Sequence, residues 1–129
     1  MTLPATARVE AAPNFLANLE EAHISFITQD AEVADTRLRK LKRDLREMVS
    51  ILIWSPGSGR AARFLGSKSA QARMRVDAVL NLAEQAGLPF LREYVVAQHV
   101  ILYAHSNTEV VLLALKHQRQ LTYGVAPAA

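Results

Sequence analysis

Apolar positions recur along the chain with periods that change three times. Residues 6–12, TARVEAA, form a short mixed run before Pro13 that suits an edge strand. From Asn14, whose side chain can act as an N-cap acceptor, Phe15, Leu19, His23, Phe26 and Ile27 step by threes and fours and predict an amphipathic helix over 14–28. After the polar turn QDAE, Ala34, Leu38, Leu41, Leu45, Met48 and Leu52 form a second stripe with a cleaner period. Two such helices joined by a short connection predict an antiparallel hairpin over 14–54, each burying its stripe against the other or against a shared sheet. Trp54 and SPGSGR close the hairpin, because Pro56 and two glycines cannot continue a helix.

A third helix is predicted over 70–86, with Ala72, Val76, Val79, Leu80, Ala83 and Ala86 on one side, Ser69 as its cap, Gly87 at its stop and Pro89 beyond. The pattern then turns to β. LREYVV, the two-residue turn AQ, HVILYAH, the polar turn SNT and EVVLLALKH predict a three-stranded antiparallel meander over 91–118. Both parities are apolar in the last two strands, so part of the sheet is expected to be covered on both faces. The ending GVAPAA, 124–129, is expected to fray.

Composition adds limits rather than a function. A chain of 129 residues, half of them apolar, is expected to form one domain over 1–129. The absence of cysteine excludes disulfides and thiolate metal sites. No apolar run reaches the ~18–20 residues needed to cross a bilayer and no signal-peptide core is present, so a cytoplasmic protein without membrane contact is expected. The net charge of +3 is unevenly spread: the first 36 residues hold Arg8 against six acids and so carry −5, leaving +8 on the remainder. That asymmetry favours an acidic macromolecular partner.

Candidate chemistry concentrates in three places. Arg37, Arg39, Lys40, Lys42, Arg43 and Arg46 fall within ten residues of the second helix against one acid, Asp44. This basic face suits contact with phosphates or with an acidic partner helix; the plainer reading is a solvated surface paired locally with Asp44 and Glu47. His117 and Arg119 follow Val111, Leu113 and Leu115 at even spacing, which in a regular strand sets them on one face and Lys116 on the other. A His beside an Arg suits proton transfer near phosphate, with Lys116 and Tyr123 assisting; the alternative is a structural or partner-binding strand end, with no nearby carboxylate to orient His117. SPGSGRAAR lacks the Gly-Lys-Ser/Thr ending of a phosphate-binding loop and reads as a turn. His23 reads as a packed histidine. His99 and His105 lie about 20 Å apart at ~3.3 Å per residue and cannot share a metal. Neither a metal site nor a cofactor is predicted.

The order of elements resembles the RelE/ParE superfamily of type II toxin–antitoxin toxins, over roughly Arg8 to Tyr123, most closely in NFLANLEEAHISFI, SPGSGR and the stretch from Arg92 to Tyr123. The resemblance implies an α+β domain with a helical hairpin packed on a small antiparallel β-sheet, a cognate antitoxin, and one of two targets. ParE-like members inhibit DNA gyrase; RelE-like members cut mRNA in the ribosomal A site. Many RelE-like nucleases carry an aromatic-Arg pair before the middle strand's apolar run, where this chain has Val100, and the ending KHQRQLTY is similar to the ParE side. The resemblance therefore implies a ParE-like gyrase inhibitor first, with Arg60, Arg63, Arg92, Lys116, His117 and Arg119 as target-binding residues. An mRNA endonuclease using His117, Arg119, Lys116 and Tyr123 is the alternative. The helix at 70–86, with Arg73 and Arg75, is an insertion that typical members lack.

Overall fold

A computed structural model describes residues 6–62 and 70–125, with side chains in the third helix described from Asp77 onward. Its elements run β1 (Arg8–Ala11), α1 (Pro13–Gln29), α2 (Ala34–Trp54), β2 (Arg60–Ala61), α3 (Ala70–Ala86), β3 (Phe90–Val96), β4 (His99–His105) and β5 (Glu109–His117). The fold is α+β, with a five-stranded mixed sheet in the order β1-β5-β4-β3-β2. β3, β4 and β5 form the antiparallel meander. β1 pairs parallel to β5, with Arg8 opposite Glu109 and Ala11 opposite Leu112.

Helix α1 starts one residue before Asn14. Ala12 occupies the cap position without a side-chain bond and Pro13 sits in the first turn, where its missing N–H costs nothing. Asn14 is thereby freed for the sheet. The α1–α2 hairpin covers one face, where Phe15, Phe26, Leu41, Leu45, Met48 and Leu52 meet Ile101, Tyr103, Leu112 and Leu115. Ile27, placed on the buried stripe by its spacing, points outward and is 46 % exposed, because Phe26 takes the core position in that turn. Helix α3 covers the other face, packing Val79 and Ala83 against Val100, Leu102, Ala104, Leu113 and Ala114. Leu80 turns partly outward. Ser69, Arg63 and residues 126–129 lie outside the described residues, as do the side chains of Ala72, Arg73, Arg75 and Val76.

Two local features set the geometry of the working end. The register of β4 against β5 shifts between Leu102, opposite Ala114, and Tyr103, opposite Leu112. Leu113 is the extra residue, a β-bulge that reverses side-chain parity. Consequently Leu115 and His117 share the hairpin face with Val110 and Leu112, whereas Leu113 and Lys116 face α3. At the C-terminal end of β5 the backbone breaks off the strand at His117, and Gln118 closes back on Gln98 with an amide bond of 2.7 Å. The tail is held as far as it is described: the Gly124 carbonyl accepts the side-chain amides of Asn14 and Asn18, each at 3.1 Å, and Val125 packs on the α3-side core.

The SPGSGR segment is more than a turn. Pro56–Ser58 form a 3-10 turn, and Arg60 and Ala61 then pair with Glu93 and Arg92 as an edge strand. No described helix is long and apolar enough to cross a membrane.

Candidate functional site

The bulge and the parallel entry of β1 leave a cleft of about 640 Å³ between α1, the Ala97–Gln98 turn and the end of β5. His99 and His117, opposite one another across β4 and β5, meet there with ring centroids 5.4 Å apart in an edge-to-face arrangement. Phe26 presses edge-on against His99 at 6.1 Å, and the Arg37 guanidinium sits 4.3 Å over the Phe26 ring while donating to Gln29 Oε1 at 2.8 Å. Burial, then His117, then Arg37 hold the His99 imidazole down at about 4, so it is neutral through the physiological range.

His117 is held by the turn that follows β5. Its Nδ1 accepts the Arg119 amide proton at 3.1 Å, and its own amide donates to Gln120 Oε1 at 2.9 Å. Arg119 lies in the turn after β5 and lines the same cleft. The cleft thus brings the guanidinium groups of Arg37 and Arg119 and the imidazoles of His99 and His117 together with Lys116 and the acid Glu21, a lining with more basic than acidic groups.

Tyr123 is on the opposite face, and Lys116, which borders the cleft, turns its ammonium toward the Tyr123 ring. Lys116 donates to the Gln120 carbonyl at 3.0 Å, lies 5.5 Å from the Tyr123 ring centre, and has its ammonium drawn below the usual lysine range by burial. Tyr123 is 2 % exposed and donates its hydroxyl to Glu93 Oε2. Burial first, and then Glu93, push the phenol well above its ordinary range. Glu93, itself 2 % exposed, also takes Arg60 Nε at 3.8 Å. Neither the buried Glu93 nor the His99–His117 pairing was singled out from the sequence; the one acid in the strand FLREYVV was the available signal for the first.

Arg92 faces the hairpin side and ties the edge together, donating to His105 Nε2 at 3.0 Å and to the Gly59 carbonyl at 3.2 Å. His105 in turn lies 2.9 Å from the Ser106 carbonyl through Nδ1 and stacks on Phe90. The structure therefore divides Arg60 and the Lys116 ammonium from Arg92 and His117 by the thickness of the sheet.

On α2, Thr36, Arg39, Lys40, Lys42, Arg43 and Arg46 line a shallow groove of about 480 Å³. Among the described residues Arg43 reaches Asp44 at 3.9 Å, and neither Glu47 nor any other acid pairs with Arg39, Lys40, Lys42 or Arg46. Arg37 belongs to the cleft instead. No cluster of three or more His, Asp or Glu suited to a metal occurs among the described residues. The chain matches no protein-family model, and no curated protein matches it in sequence.

Proposed function

We propose that this chain is a RelE/ParE-type toxin of the ParE kind, a cytoplasmic protein that binds and inhibits DNA gyrase and is held in check by a cognate antitoxin. The support from architecture is the hairpin α1–α2 on one face of a small sheet whose first strand lies parallel to its last. The observation that carries the choice of target is the dispersal of the groups an mRNA endonuclease requires. Tyr123 is buried on Glu93 on the α3 face, with the Lys116 ammonium 5.5 Å from its ring, whereas the His117 side chain lies on the other face. Nucleotide cleavage by 2′-oxygen attack needs a base and a cation on one phosphate, whereas inhibition by binding needs only a surface.

Two surfaces suit that role. The cleft with Arg37, His117 and Arg119 and the groove on α2 supply positive charge. On the outer side of α1, Leu16, Ile24 and Ile27 stay exposed at helical spacing, an apolar stripe of the kind that an antitoxin segment covers.

The test is supercoiling by purified gyrase with and without the purified chain, alongside induction in cells. Inhibited supercoiling and a raised DNA-damage response with intact mRNA are expected. Unchanged supercoiling together with codon-phased cuts in translated mRNA would replace this reading with the nuclease.

A further inference from the structure

We infer that the exposed face of α2 binds the phosphate backbone of duplex DNA. The inference deepens the proposed function and rests on it for the source of the duplex, namely the DNA that gyrase holds; the binding itself rests on α2 alone.

Leu41, Leu45, Met48 and Leu52 are spent on the core, each 7 % exposed or less. The outward groove is lined by Arg39, Lys42, Arg43 and Arg46, at i, i+3, i+4 and i+7, with Lys40 on the flank; Glu47 is exposed beside them, and Ile51 and Trp54 are exposed further along the helix. All five cations are exposed, and of them only Arg43 has an acid within ion-pair distance, Asp44 at 3.9 Å. Seven residues of helix span about 10 Å at ~1.5 Å per residue, and a duplex carries one charge per ~1.7 Å of its axis, hence about six charges over that length. Five cations thus face about six duplex charges over the same length, about three of them on each strand at ~3.4 Å per charge.

The lining also selects among acidic partners. A protein interface is anchored by buried aromatic or aliphatic groups with charge at its rim; this groove has no apolar anchor, its one uncharged member being Thr36. Single-stranded nucleic acid is held by stacking its bases on aromatic side chains along a basic track; no lining residue is aromatic. A duplex has already stacked its own bases and offers only phosphates to such a surface, which is what five cations without an apolar or aromatic neighbour can use.

Lys40 extends the surface. It also lines a second depression, shared with Arg37, Asp44, Gln98 and His99, that leads toward the cleft.

The experiment is fluorescence anisotropy with the full chain and a labelled 20-base-pair duplex, its single strand, and polyglutamate as competitor, between 50 and 200 mM salt. With four phosphates neutralised at a slope near −0.9 each, duplex affinity is expected to fall about 10²-fold across that range. The quadruple variant Arg39→Gln, Lys42→Gln, Arg43→Gln, Arg46→Gln, all at exposed positions, is expected to keep its thermal transition and lose most of that salt dependence. The distant variant Arg8→Gln is expected to bind as the parent does. Equal duplex binding by parent and quadruple variant overturns the inference. So does binding of single strand, or displacement by polyglutamate, as tight as that of the duplex. The gyrase assay separates the two levels. Duplex binding with supercoiling unaffected leaves the α2 surface standing and removes the gyrase-inhibitor reading; inhibited supercoiling by a chain that does not bind duplex removes the α2 surface alone.

Discussion

Asn18 on α1 accepts the Leu115 amide proton at 2.9 Å through Oδ1, doing for β5 what a neighbouring strand would otherwise do. β1 pairs with β5 only as far as Leu112. Beyond that point the bulge turns the Leu113 carbonyl outward, and Asn14 Nδ2, one turn before Asn18, donates to it at 3.1 Å. Two asparagines at i and i+4 thus stand in for the missing strand, and both also hold the Gly124 carbonyl.

Replacing Asn18 with Leu leaves a buried amide without its acceptor, a loss of about 1–3 kcal/mol. Urea unfolding of Asn18→Leu is expected to show that decrease, and a change below about 0.5 kcal/mol would mean that the end of β5 finds another partner.

A second prediction concerns the turn between α2 and β2. The Gly59 amide donates to the Tyr103 hydroxyl at 2.8 Å, and that hydroxyl donates to the Pro56 carbonyl at 2.7 Å. A Cβ on Gly59 would stand 2.6 Å from both the Glu93 carbonyl oxygen and the Tyr103 hydroxyl. Backbone on one side and a fully buried phenol on the other leave little room to yield. Gly59→Ala is expected to destabilise the domain by about 1–3 kcal/mol through overpacking, read from the unfolding midpoint. An unchanged midpoint would mean that β2 can lift away from β3 without cost.

The elements α2 and the meander were readable because burial dictates their patterns: every fourth or third residue of Ala34 to Leu52 for one buried face, and continuous apolar runs in β4 and β5 for a sheet covered on both. The bulge was not readable. Val111, Leu113 and Leu115 alternate in the sequence as in a regular strand, and only pairing with β4 shows that Leu113 is the additional residue and that His117 belongs to the other parity. Asn14 reads locally as a cap because its acceptor suits one; its partners are 99 and 110 residues away. The same is true of Tyr123, whose hydroxyl finds Glu93 thirty residues earlier. Long-range polar pairing leaves no periodic trace, and those pairings decide which candidate site residues meet.

Acid sensitivity follows from His99. Its folded value of about 4 lies below the ordinary 6.5, so between those two values the unfolded chain takes up a proton that the folded chain refuses. Stability is complete above about pH 6.5, declines as the pH falls toward 4, and levels off below. The shift corresponds to about 3 kcal/mol in all. Arg37 and His117, the charged and titratable groups facing it, both oppose protonation. Urea unfolding at pH 7 and pH 5 is expected to show the parent losing stability over that interval and His99→Gln losing distinctly less. Equal pH dependence in the two would assign acid sensitivity to other groups.

Tyr123 offers the sharpest separation between a structural and a chemical role. Its hydroxyl is buried, bonded to Glu93, and shifted so that it stays protonated through the usual range. A phenol that donates protons to a substrate must be reached by it, and this one lies beneath the C-terminal segment on the α3 face. Tyr123→Phe removes the donor to a buried carboxylate and is expected to cost about 1–3 kcal/mol. Growth arrest on induction below the melting temperature of the variant is expected to persist. If instead Tyr123→Phe abolished growth arrest while its thermal transition matched the parent's, the hydroxyl would have to act on the target, and the binding mechanism would give way to one with chemistry at that face.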